Sequence, residues 1–202
     1  ASINNAKGIA ALETMKALVE YAHPDHLTQA SDDTHGLWEA GQAAIGFMWG
    51  SRGGVILDNE GSSAEVTSNT VLSAAPTVTG GSIPGATLWW DGITIATNVS
   101  DSEAEATFAA LVSGMTSEMV AANNDDAIWL IDGFKPGPAA AGVSATAQGG
   151  AKSYPMFAQM GLLHNALGAE LVDFLKGAEI DEQALSDVEA VYETAAKDAG
   201  YL

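Results

Sequence analysis

Two adjacent tryptophans and an aspartate, Trp89-Trp90-Asp91, are the residues of this sequence best suited to recognising a ligand. Flat apolar rings beside a fixed hydrogen-bonding group match a sugar or polyol, whose C–H faces are apolar and whose rim is hydroxyl. Successive side chains of an extended segment point to opposite faces, so one of the two rings is expected to face a ligand while the other packs. Trp90 would stack on a sugar face and Asp91 would accept from hydroxyls. The structural alternatives are one ring in the core, the other under the following helix, and Asp91 merely capping the strand turn.

Catalytic patterns are weak. The sequence holds no Gly-x-Ser-x-Gly elbow, no phosphate-cradling Gly-x-x-x-x-Gly-Lys and no His-Glu-x-x-His. His23, His26 and His35 do not make a metal site, because Pro24 breaks the helix that would align the first two and no further ligand has a characteristic spacing. Glu103 and Glu105 fall in the first turns of a helix, where carboxylates favour the dipole without any acid–base role. A carbohydrate-active enzyme needs two carboxylates across one cleft, and Asp91 has no evident partner. Neither catalytic residue, metal nor cofactor is expected. Asn98-Val99-Ser100 matches an N-glycosylation acceptor, a triplet common by chance.

Composition bounds the rest. At 202 residues the chain can build one large domain or two small ones. Seven basic against 26 acidic residues leave a net charge of −19, which argues against nucleic acid and anionic membrane surfaces as partners. Mean hydropathy is slightly positive, yet no apolar run reaches the length needed to cross a bilayer. The absence of cysteine excludes disulfides and thiolate chemistry and fits any compartment.

The elements that must position these residues read as follows. Ile9, Leu12, Met15 and Val19 recur at helical spacing over 5–21, and His23-Pro24 stops the run. A second helix spans 33–40 before Gly41, and residues 43–49 read as a buried strand entering a turn-rich segment at 50–54. Residues 59–69 read as a loop before a strand near 70–74, and 76–85 as a crossing segment. A strand at 93–97 precedes a capping box, Ser100-Asp-Ser-Glu103, opening a helix whose buried stripe is Ala104, Phe108, Leu111 and Val112. Helices are expected at 117–122 and 126–131, then a flexible Gly/Ala/Pro connection over 132–153. A long helix over 157–175 ends at Gly177, and Asp181 caps another over 182–199.

In order, these segments resemble the extracellular solute-binding proteins of bacterial ABC importers, in the sugar-binding group that includes maltose-binding protein. The resemblance is carried by Leu37-Trp-Glu-Ala-Gly-Gln-Ala-Ala-Ile45, by Ala75-Pro76 before Trp89-Trp-Asp-Gly92, by Ala104 to Phe108 leading to Thr116-Ser-Glu118, and by Pro155-x-Phe-x-Gln-Met160 with Leu175-Lys-Gly177 and Asp181-Glu-Gln-Ala-Leu185. It covers 5–199. Trp89-Trp90 departs from the double glycine usual in that place, which bears on the substrate more than on the family.

The resemblance implies an α/β fold of the two-lobe, type II periplasmic-binding-protein kind, here mainly the second lobe with part of the first and helix-rich. Residues 1–74 and 154–202 would belong to the second lobe and 75–153 to the first, the chain being the C-terminal portion of a longer precursor. Without its sheet neighbours the 93–97 strand would leave unpaired backbone, so a homodimer or a rearranged middle part is expected. The implied function is binding without catalysis. A sugar or polyol is captured in the periplasm, or outside a membrane-associated cell surface, and handed to an inner-membrane permease. Implied ligand contacts are Trp49, Ser51 and Arg52 in the loop after the second-lobe strand, with Arg52 donating to vicinal hydroxyls or an acidic sugar. Trp89, Trp90, Asp91 and His164 complete the set; Trp49 and His164 could equally be packing residues, and Trp129 is a lesser candidate. The rival readings are a fragment of a carbohydrate-active enzyme and a surface interaction domain.

Overall fold

Helix signals carry over into structure most directly. The computed structural model describes residues 2–58, 60–78 and 80–202. Helix α1 (Ala6–Val19) starts where the Asn5 side chain accepts hydrogen bonds from the N–H groups of Lys7 and Gly8. Helix α2 (Ser31–Glu39) follows, then a 3₁₀ turn (Gly50–Arg52) running into α3 (Gly53–Leu57). Helix α4 (Ala64–Asn69) is capped by Ser63, and strand β1 is the dipeptide Thr87–Leu88. The capping box forms at the start of α5 (Asp101–Gly114), and Thr116 caps α6 (Ser117–Ala122). A second 3₁₀ turn (Pro138–Ala140) leads into α7 (Ala141–Gln148), and β2 is Lys152–Ser153. The long helices α8 (Ala158–Leu175) and α9 (Asp181–Asp198) end the chain. Ile180, not Asp181, occupies the cap position of α9, and Asp181 opens its first turn. About half of the protein is helical, with a single two-stranded parallel pairing among the described residues.

Strand expectations fare worse. Residues 43–49 are irregular, and Ile45, 94% exposed, stands in solvent where a buried strand was expected. Residues 70–74 and 93–97 are irregular as well. An apolar run becomes a strand only when a neighbour satisfies its backbone N–H and C=O groups, and among the described residues none is paired alongside these. Part of the expected loop at 59–69 is helical, as α4, while residues 126–131 turn irregularly instead of forming a helix. The expected flexible connection contains α7 and β2. Ala1, and Asn59 and Thr79, which fall in the expected loop and crossing segment, lie outside the described residues.

The chain divides into two compact units, Ala1–Gln29 with Pro155–Leu202, and Ala30–Tyr154. The first is a three-helix assembly in which α8 and α9 pack side by side and α1 lies against both. Leu12, Ala166, Leu171, Phe174, Ala184, Leu185 and Val188 form its core. Glu189 ties the chain start to α9 by accepting from the N–H groups of Ile3 and Asn4 at 2.5 and 2.8 Å. Helix α8 stops at Gly177, whose φ of 81° only glycine adopts freely. Gly177 donates to Phe174 O and Ala178 to Asp173 O, both at 2.9 Å, closing the last turn.

The second unit is built differently. Its buried apolar side chains, among the described residues, are Ile56, Pro84, Val120 and Ala140. Close backbone approach takes the place of a side-chain core. A Cβ on Gly53 would lie 2.1 Å from the Ala139 carbonyl oxygen, and one on Gly142 would lie 2.9 Å from that of Ser73.

Candidate functional site

The second unit gathers aromatic rings from three distant stretches of sequence. Trp49 sits at the entry to the first 3₁₀ turn, Trp89 directly follows β1, and Tyr154 directly follows β2. Trp89 stacks on Tyr154, with centroids 3.8 Å apart and planes 28° from parallel. Trp49 meets Trp89 at 5.5 Å and 89°, edge to face. The edge-to-face contact of Trp49 with Trp89 suits the aromatic quadrupole, and such a pair contributes about 0.5–1.5 kcal/mol beyond area burial. Trp49 remains 50% exposed and Trp89 47%.

The strand pairing assembles this cluster. Helix α7 ends in a glycine turn, where Gly150, at φ 85°, donates to Ala147 O at 3.0 Å and redirects the chain into β2. Strands β1 and β2 run parallel with Thr87 opposite Lys152 and Leu88 opposite Ser153. Tyr154 N–H then donates to Leu88 O at 2.9 Å, extending the pairing by one residue and setting the phenol ring under the indole. The Trp89 Nε1–H donates to Thr87 Oγ1 at 3.0 Å, which fixes the indole's orientation.

No family model matches the chain, and no curated protein is similar to it. The site therefore has to be read from its own geometry.

Of the residues singled out in the sequence, Trp49 and Trp89 are brought together. Trp90 is 54% exposed and lies outside the stack; its ring curls back over Gly92, where a Cβ would come within 2.9 Å of it. Asp91 and Ser51 are exposed. The Arg52 guanidinium is engaged by the Asp32 carboxylate and lies 3.5 Å from His35 Nδ1, so it fastens the first 3₁₀ turn to α2. The other ring nitrogen, Nε2, is 3.0 Å from Glu39 Oε1. His35, a member of the discounted histidine group, is thereby buried between a cation and a carboxylate. His164 is exposed on α8 and belongs to the other unit. The Trp129 Nε1–H donates to Asn123 O at 2.8 Å and serves packing.

Sequence reasoning missed Tyr154, Thr87 and Lys152. No local signal marks them, because each earns its place only through the β1–β2 register.

Proposed function

We propose that the protein binds a carbohydrate or polyol on the Trp49–Trp89–Tyr154 cluster and serves as the solute-binding component of an ABC import system. The observation that carries this reading is the cluster itself, in which two half-exposed indoles and the partly buried Tyr154 ring, from three stretches of chain, are held at fixed angles. Such rings give a sugar's C–H face a rigid apolar platform at low entropic cost. The ordered motifs described above supply the importer part of the reading, together with its two-lobe fold and periplasmic setting. In that scheme the protein captures the solute, closes on it and presents it to a membrane permease, with no chemical step.

The test is a tryptophan-fluorescence and calorimetric titration of the protein with neutral sugars, polyols and sugar acids. A saturable response to one class is expected, and Trp89→Ala should weaken it about tenfold, the loss of one stacking platform. Trp49→Ala should weaken it less, because its ring meets Trp89 edge to face. A panel without any response from folded protein would remove the carbohydrate reading. The surface interaction domain would then stand, favoured by exposed Ile45, Phe47, Val71 and Val78 on the same unit.

A further inference from the structure

We propose that Lys152 selects the charge of the ligand, so that the aromatic face takes a sugar acid with its carboxylate received by the Lys152 ammonium. This rests on the carbohydrate-binding reading above and names the substrate class of that site. Extended chain alternates its side chains, and registered partners in a parallel pair project to the same side. The Trp89–Thr87 hydrogen bond sets those two side chains on one face of β1. Tyr154 stacks on Trp89 and therefore shares that face. Lys152 lies two residues before Tyr154 and opposite Thr87, on the same side again. One face thus presents a hydroxyl, an indole, a phenol and an ammonium group.

The remaining cations of this unit have other positions. Arg52, the residue first considered for an acidic sugar, has its guanidinium on Asp32 and near His35. Lys135 belongs to a loop pinned by Asn124, whose side chain bonds both its N–H and its C=O at 2.9 Å. Lys152 is exposed and makes no ion pair among the described residues. In a chain of net charge −19 the general field repels anions, so anion recognition requires a local cation where the ligand stacks.

Matched ligands separate charge from shape: D-galacturonate against D-galactose, and D-gluconate against D-sorbitol. Each is titrated against the unmodified protein, Lys152→Gln and Trp89→Ala, at low salt and at 0.5 M salt. The acid of each pair is expected to bind about threefold to fivefold tighter at low salt, the scale of one exposed ion pair. High salt and Lys152→Gln should each reduce that ratio to about one. Trp89→Ala should weaken acid and neutral ligands alike. Equal or tighter binding of the neutral member, or a preference that survives Lys152→Gln, overturns the role of Lys152 while the platform reading stands. Silence from all four ligands overturns both.

Discussion

Gly53 is the position where one added carbon has the clearest consequence. The Ala139 carbonyl oxygen sits 2.1 Å from where its Cβ would be, and a backbone atom cannot rotate away as a side chain can. Gly53→Ala is expected to cost about 2 kcal/mol, within the range for overpacking, read as a lower urea midpoint at unchanged slope. Gly168 is the counterpart, inside α8 with open space around its Cβ direction. Gly168→Ala should raise stability by roughly 0.5–1 kcal/mol by removing backbone freedom from the unfolded chain. Two substitutions with the same chemistry should therefore move the midpoint in opposite directions. The sign depends on neighbours, which the glycine codon alone does not reveal.

At the scale of elements, α5 isolates what a cap contributes. The sequence marks Ala104, Phe108, Leu111 and Val112 as a buried stripe, yet none of the helix's residues is buried and Phe108 is 62% exposed. A bare helix of this length is marginal in water, so its first turn leans on local chemistry. Ser100 Oγ accepts from Glu103 N–H, and the Glu103 carboxylate accepts from both the Ser100 hydroxyl and its N–H. Those two bonds, the hydroxyl first, hold the Glu103 carboxyl below its ordinary value. A lowered acid stabilises the fold above the unfolded carboxylate range, and that contribution disappears as pH falls through the lowered value. Cα chemical shifts of residues 101–105 should therefore lose helical character below about pH 4, and Glu103→Gln should remove that pH dependence. Ser100→Ala should cost about 1 kcal/mol of helix stability at neutral pH. Phe108→Ser, by contrast, should leave the thermal midpoint nearly unchanged unless something covers that face.

Over the whole molecule, burial is unevenly shared. The apolar core belongs to the α1, α8 and α9 unit, whereas the unit spanning Ala30–Tyr154 buries few side chains. We therefore keep self-association as a proposal, with unit Ala30–Tyr154 supplying the surface. Sedimentation velocity over a concentration series should show a dimer forming, and a monomer at all concentrations would refute it. Amide exchange should be slowest in α8 and α9 and fast through residues 70–100, because protection follows buried contacts.

The helix ends at Ser100 and Gly177 were legible in the sequence because their causes are local, each acting within a few residues of itself, whereas Asp181 was displaced from the cap position by Ile180. The tryptophans were legible as candidate ligand groups for the same reason, since large rings beside a carboxylate are conspicuous in any fold. Residues 43–49 and 93–97 show where such reading fails. Their side chains favour strands, but a strand is a relation between two segments, and among the described residues no partner pairs with either. Burial in α5 failed likewise, because periodicity names a face without naming what lies opposite it. Tyr154 and Lys152 came to the site through one parallel register, and Arg52 was drawn to Asp32 and His35 by tertiary proximity. By itself the sequence determined where the chain turns, caps and carries charge, because these follow from neighbouring residues. Only the tertiary structure decided which rings meet and which residues share the β1–β2 register, because those relations join residues far apart in the chain.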